Sequence, residues 1–133
     1  MVIRTQDRSA KEGIPKVNIK TSHFSDGVYS NGENSWKVCS LIEKSKHLPV
    51  FDIPLVAINL GFNLWEIEDI FDFIFHTKKV KEASLNHPII LSESGFIMDG
   101  WHRVVKAILL ERRTIKAVRF VENPKPDYTE RIK

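Results

Sequence analysis

The sequence predicts an α/β domain of the α+β kind, with a small mixed sheet and helices packed against it. Three observations carry that reading. Short β-runs alternate with helix-period apolar stripes along most of the chain, which is how a sheet with covering helices is written in sequence. A β-run ending at Asp99-Gly100 passes at once into an apolar helix and then into a closing run, Thr114 to Phe120. Finally, 133 residues without an internal repeat suit one domain with one core.

Composition bounds the rest. Apolar residues make up 42% and charged residues 28%, an ordinary globular balance. No apolar run approaches the roughly 20 residues of a membrane span, and residues 1 to 20 lack the apolar stretch of a signal peptide. The single cysteine excludes an internal disulfide, so a cytoplasmic setting without membrane contact is expected. The net charge of +3 is modest, and Lys78-Lys79-Val80-Lys81 and Arg112-Arg113 read as solvated faces. Unspecific duplex binding needs a larger basic surface, so DNA is not indicated.

Taken in order, residues 1 to 22 are polar and aperiodic and are expected to be a weakly ordered segment. The domain proper is expected over 23 to 121, with 122 to 133 as a polar tail. Asn31-Gly32 signals a hairpin joining 27–29 to a run near Trp36. A helix should follow, capped by Ser35, striped by Val38, Leu41 and Ile42, and ended before Pro49. Cys39 on that helix is expected to be a small buried hydrophobe. Residues 50 to 58 read as a strand interrupted by Pro54, hence at an edge or bulge. The longest helix is expected from Trp65 to Ala83, with Ile67, Ile70, Phe71, Phe73, Ile74 and Val80 as its apolar face. Its acidic first half and basic last turns complement the helix dipole. Ser92-Glu93-Ser94-Gly95 then turns between strands at 87–91 and 96–98.

The turn at Gly100 is where chemistry is expected. Glycine there allows φ > 0 and close approach of another group, and free amides at the following helix start, with His102 and Arg103 in its first turn, attract anions. An ordinary βα turn with two exposed basic residues fits the same spacing.

Gly100, His102 and Arg103, with the upstream strands Phe51 to Leu55 and Asn86 to Leu91 and the closing strand Ile115 to Phe120, resemble the nucleotide-binding core of the ParB/sulfiredoxin superfamily. There a Gly-x-x-Arg turn opens a helix over nucleotide phosphates. The resemblance spans about residues 48 to 121 and implies a small mixed sheet, a bound nucleoside triphosphate (ATP or CTP) and magnesium. Two departures matter. Trp101 stands where sulfiredoxins carry their nucleophilic cysteine, which argues against sulfinic reductase chemistry, and the DNA-binding domain of partition-type ParB proteins has no counterpart here. Glu122-Asn123 resembles a later ParB motif, but Pro124 and Pro126 follow where that motif needs a helix.

Other constellations are fewer. Asp69, Asp72, His76 and Lys79 recur at helical spacing on one side of the long helix. Either this is a solvated face with an Asp72–His76 surface pair, or His76 faces the phosphate turn as an acid/base and Asp72 takes magnesium. The five histidines are too scattered for a zinc signature. Trp36, Trp65 and Trp101 could stack on a base or complete the core, and Trp101 sits in the turn itself.

The expected function is nucleoside-triphosphate binding with slow hydrolysis or phosphoryl transfer. Gly100 would give close backbone approach, the amides of Trp101 and His102 would cradle phosphate oxygens, and Arg103 would neutralise the transferred charge. Asp99 would take metal or cap the helix. The alternative is a non-catalytic ParB-like binding module of a mobile element or phage, acting on a protein or DNA partner.

Overall fold

Along Thr114–Arg119, the side chains of Ile115, Ala117 and Val118 are buried while Thr114, Lys116 and Arg119 face out. Such a strand belongs inside a sheet, and the structure, a computed structural model that describes residues 6–7, 13–21 and 27–129, places it there. The order of elements is β1 (Gln6–Asp7), β2 (Lys16–Val17), β3 (Val28–Ser30), β4 (Asn34–Lys37), α1 (Val38–Ser45), β5 (Phe51–Pro54), α2 (Ile70–Glu82), β6 (Ile89–Leu91), β7 (Ile97–Asp99), α3 (Trp101–Leu109), β8 (Thr114–Arg119) and β9 (Tyr128–Thr129). The main sheet runs β5-β8-β6-β7. Its central β6–β8 pair is parallel, and both outer pairs are antiparallel. The fold is a mixed α+β fold, as the pattern of runs predicts.

Strand β6 is apolar throughout because both its faces are covered. Ile89 and Leu91 point into one core layer with Ile97, Val104, Ala107, Ile115 and Ala117, roofed by α3. Ile90 points the other way, with Trp36, Leu41, Met98, Val118 and Phe120, into a layer closed by α1 and the small sheet β3-β4-β9. Helix α2 leans on α3. Lys106 joins them by donating from Nζ to the carbonyls of Lys81 (2.9 Å) and Ala83 (2.5 Å) at the C-terminal end of α2, where a cation complements the dipole.

Several boundaries differ from expectation. Ser35 lies in β4 instead of capping α1. The N-cap is Lys37, and Asp127 caps from outside the helix, accepting from the Lys37 amide at 2.8 Å and the Ser40 hydroxyl at 3.2 Å. The polar tail is accordingly part of the fold: β9 pairs with β4, and the Trp36 indole donates to Pro124 O at 2.8 Å. Residues 130–133 lie outside the described residues. Cys39 is exposed, because the inward face of α1 is Val38, Leu41 and Ser45, and position 39 falls to its solvent side.

The long helix starts at Ile70, not Trp65. Asp69 caps it by accepting from the Asp72 amide (2.8 Å), while the Asp72 carboxylate accepts from the Glu68 amide (3.2 Å), a reciprocal arrangement that ends the preceding extended segment. The expected apolar face is largely not core: of the helix only Val80 is buried, and Ile70, Phe73 and Ile74 are exposed. Within the segment 1 to 22, residues 1–5, 8–12 and 22 lie outside the described residues; β1 and β2 pair with each other and Ile19 is buried. The Asn31-Gly32 hairpin and the edge position of Pro54 in β5 are as expected. Among the described residues no helix is long and apolar enough to cross a membrane.

Candidate functional site

The strand-to-helix turn is built around a contact only glycine allows. Gly100 has φ +117°, and a β-carbon there would sit 2.5 Å from Cγ2 of Ile89, on the adjacent strand. The glycine thus serves close packing of the α3 start on β6.

Directly beneath, Arg103 is buried, at 7% relative exposure. Its Nη1 donates to the carbonyls of His87 (3.0 Å) and Pro88 (2.6 Å), and its Nη2 meets Asp99 Oδ2 at 2.6 Å. The guanidinium therefore ties α3 to the segment entering β6 and to the end of β7. Asp99 holds Arg103 and is not the cap of α3; that place is taken by Gly100, without a side-chain bond.

Next to Arg103 in the chain, His102 meets His76 of α2. His76 Nδ1 and His102 Nε2 lie 2.9 Å apart, with the rings nearly coplanar at 11°. The centroids are 5.2 Å apart, which is the nitrogen–nitrogen distance plus the two ring radii, so both nitrogens lie on the line joining the rings. That geometry holds one proton: one nitrogen donates and the other accepts, and a doubly protonated pair would set two hydrogens against each other. Trp65, in the extended segment before α2, lies flat over both imidazoles at 4.6 Å and 4.5 Å. Phe62 meets Trp101 edge-on at 5.2 Å.

The electrostatics agree with a neutral pair. Burial, then the Lys79 ammonium, His76 and Arg103, push the His102 imidazole down to about 4. His76 is also lowered, by burial and then by Lys79, with Asp72 opposing. Beside this pair opens a cleft of about 640 Å³, lined by Thr21, Tyr29, Trp65, Lys79, Trp101 and His102 among others. A second hollow, of about 420 Å³, opens by Ile42, Leu48 and Pro88, and Asp99 and Arg103 form the wall between the two.

Of the residues singled out in the sequence, the structure brings Gly100, Trp101, His102 and His76 to one side of the turn. Asp99 and Arg103 lie behind them, engaged with each other, and Asp72 lies at the start of α2 in its cap. His76 turns Nδ1 to His102, while the Asp72 carboxylate one turn back acts on the same imidazole by favouring its charged form. No sequence pattern groups Trp65, Lys79 and Tyr29 at one site, though all three line the cleft. Lys79 shares the helical spacing of His76, whereas Trp65 and Tyr29 arrive through long-range packing that no local pattern encodes. Among the described residues no three His, Cys, Asp or Glu side chains are placed to hold a metal; His23 lies outside them.

No family model, curated protein or solved structure matches this chain.

Proposed function

We propose that this domain binds a phosphate-bearing ligand of the nucleoside-triphosphate kind in the cleft at the start of α3, as its resemblance to the ParB/sulfiredoxin core implies. The observation that carries this reading is the convergence, around one cleft of about 640 Å³, of a helix N-terminus, the Lys79 ammonium and three aromatic side chains. The volume falls within the range of small-molecule sites, about 300–1,000 Å³. The amides of Trp101 and His102, at the positive end of the helix dipole, suit phosphate oxygens, and Lys79 adds the cation. Tyr29, Trp65 and Trp101 offer surface for a base.

Magnesium fits this site only as a companion of the ligand's own phosphates. Asp99 is bonded to Arg103, and Asp72 takes part in the cap of α2. The chain's acid/base equipment is the His76–His102 pair, in which a proton taken up at one outer ring nitrogen can be passed along the linear bond to the other ring. This supports slow hydrolysis or phosphoryl transfer as the chemistry. The engagement of Arg103 favours a second reading, a binding module without turnover, because its charge is committed to Asp99 and two carbonyls. A cytoplasmic setting suits the exposed thiol of Cys39.

Thermal shift with the four nucleoside triphosphates and magnesium tests the binding. A ligand at a hundred times its Kd adds about 2.7 kcal/mol. For a domain of this size that raises Tm by roughly 10 °C. No shift with any of them contradicts the reading, and release of phosphate separates turnover from binding alone.

A further inference from the structure

The bond between His76 Nδ1 and His102 Nε2 leaves each imidazole one further ring nitrogen. His102 lines the cleft and His76 does not, so the nitrogen offered to a ligand is Nδ1 of His102. Among the described residues no buried side-chain nitrogen or oxygen lacks a partner, and His102 bonds through Nε2, so its Nδ1 is open to solvent. With the shared proton on His102 Nε2, that Nδ1 carries a bare lone pair. The lone pair lies in the ring plane, whereas Trp65 covers the ring's face, so the indole leaves the line of attack clear.

A nucleophile needs a base on its far side, held in place by a third group. His76 stands where that base is needed, with Nδ1 2.9 Å from the Nε2 of His102. Burial and Lys79 lower its proton affinity, while Asp72 favours the charged form it would take. Burial, Lys79, His76 and Arg103 hold His102 at about 4, which leaves this ring unprotonated and nucleophilic at neutral pH.

We propose that His102 is a nucleophile that takes the γ-phosphoryl group of a bound nucleoside triphosphate onto Nδ1, with His76 accepting the proton from its Nε2. The proposal rests on the reading of the cleft as a triphosphate site. Nδ1 forms a bond to the γ-phosphorus, and the bond from that phosphorus to the bridging oxygen breaks. The nucleoside diphosphate leaves with the bond's electron pair, and the Nε2 proton passes to Nδ1 of His76. Water then attacks the phosphorus of the phosphohistidine. The nitrogen–phosphorus bond returns its electron pair to Nδ1, His76 returns the proton to Nε2, and orthophosphate leaves with one proton released to solvent. Lys79, on the same cleft, is the cation placed to meet the phosphate charge.

The test incubates the full chain with magnesium and ATP or CTP labelled at the γ-phosphate, then quenches in alkali. The expected result is protein-bound label that survives alkali and is lost in acid, as a nitrogen–phosphorus bond requires, with none from α-labelled nucleotide. Mass spectrometry of the wild-type digest should place one phosphoryl group on His102, a readout that needs no variant. His102→Asn should lose the label while retaining the thermal shift with nucleotide, and His76→Ala should slow labelling by roughly 10²-fold or more. Exchange of labelled nucleoside diphosphate into triphosphate reads the same intermediate if it turns over too fast to accumulate. A wild-type chain that binds nucleotide but shows neither label nor exchange overturns the proposal and leaves the binding reading standing. Label on another residue, or label retained in His102→Asn, overturns it as well, and a chain that binds no nucleotide overturns both.

Discussion

His76 and His102 share a single proton on the straight line between Nδ1 of one and Nε2 of the other, 2.9 Å apart beneath the indole of Trp65. Two helices distant in sequence are thereby latched by a bond that is lost when both imidazoles are protonated.

The latch gives stability a defined pH dependence. His102 is held at about 4 in the folded chain against about 6.5 when unfolded, so between these values the unfolded state binds more protons and protonation favours it. Stability is expected to be full above about pH 6.5 and to fall as pH drops towards about 4, with the lowered His76 acting in the same direction. Urea unfolding across this window measures the slope, and His102→Asn should reduce it. A slope unchanged by that substitution would remove the latch from the account.

Trp65, stacked flat on both rings, contributes to the burial that lowers their proton affinity. Trp65→Ala should move both imidazoles upward towards the ordinary histidine value, as followed by NMR titration of the ring protons. Unmoved titrations would mean that Lys79, not burial, dominates.

Arg103 is expected to matter for folding first. Arg103→Ala leaves Asp99 and two carbonyls without their cation, and breaking a buried pair in this way costs about 3–5 kcal/mol. Arg103→Lys should recover only part of that, since one ammonium cannot reproduce the planar fork. Denaturant midpoints decide it, and a loss below about 1 kcal/mol would contradict the geometry.

Gly100→Ala should destabilise even though the added group is one methyl. The left-handed backbone costs about 1–2 kcal/mol for a side-chain-bearing residue. Overpacking against Ile89 adds about 1–3 kcal/mol. A near-neutral Gly100→Ala would show that the turn relaxes away from β6.

The sheet was legible in the sequence because its strands carry their own signals: unbroken apolar runs where both faces are covered, and a glycine where helix and strand close up. What the sequence could not reveal depends on distant partners. Asp127 replaces Ser35 as the cap of α1 because the tail returns as a strand, and the start of α2 is set by the Asp69–Asp72 exchange, a signal present in the sequence but outweighed by the apolar period running back to Trp65. That period predicts a core face, whereas Ile70, Phe73 and Ile74 are exposed. Arg103 looked like a phosphate ligand because a first-turn arginine is usually free; here Asp99, His87 and Pro88 engage it.

The central claim, a phosphate-bearing ligand at the start of α3, is tested most directly by amide NMR during titration with ATP and CTP in the presence of magnesium. The account expects saturable shifts centred on the Trp101 and His102 amides and the Trp65 and Trp101 indoles, competed by inorganic triphosphate. The absence of saturable change, or changes centred on the hollow beside Ile42 and Leu48, would contradict it.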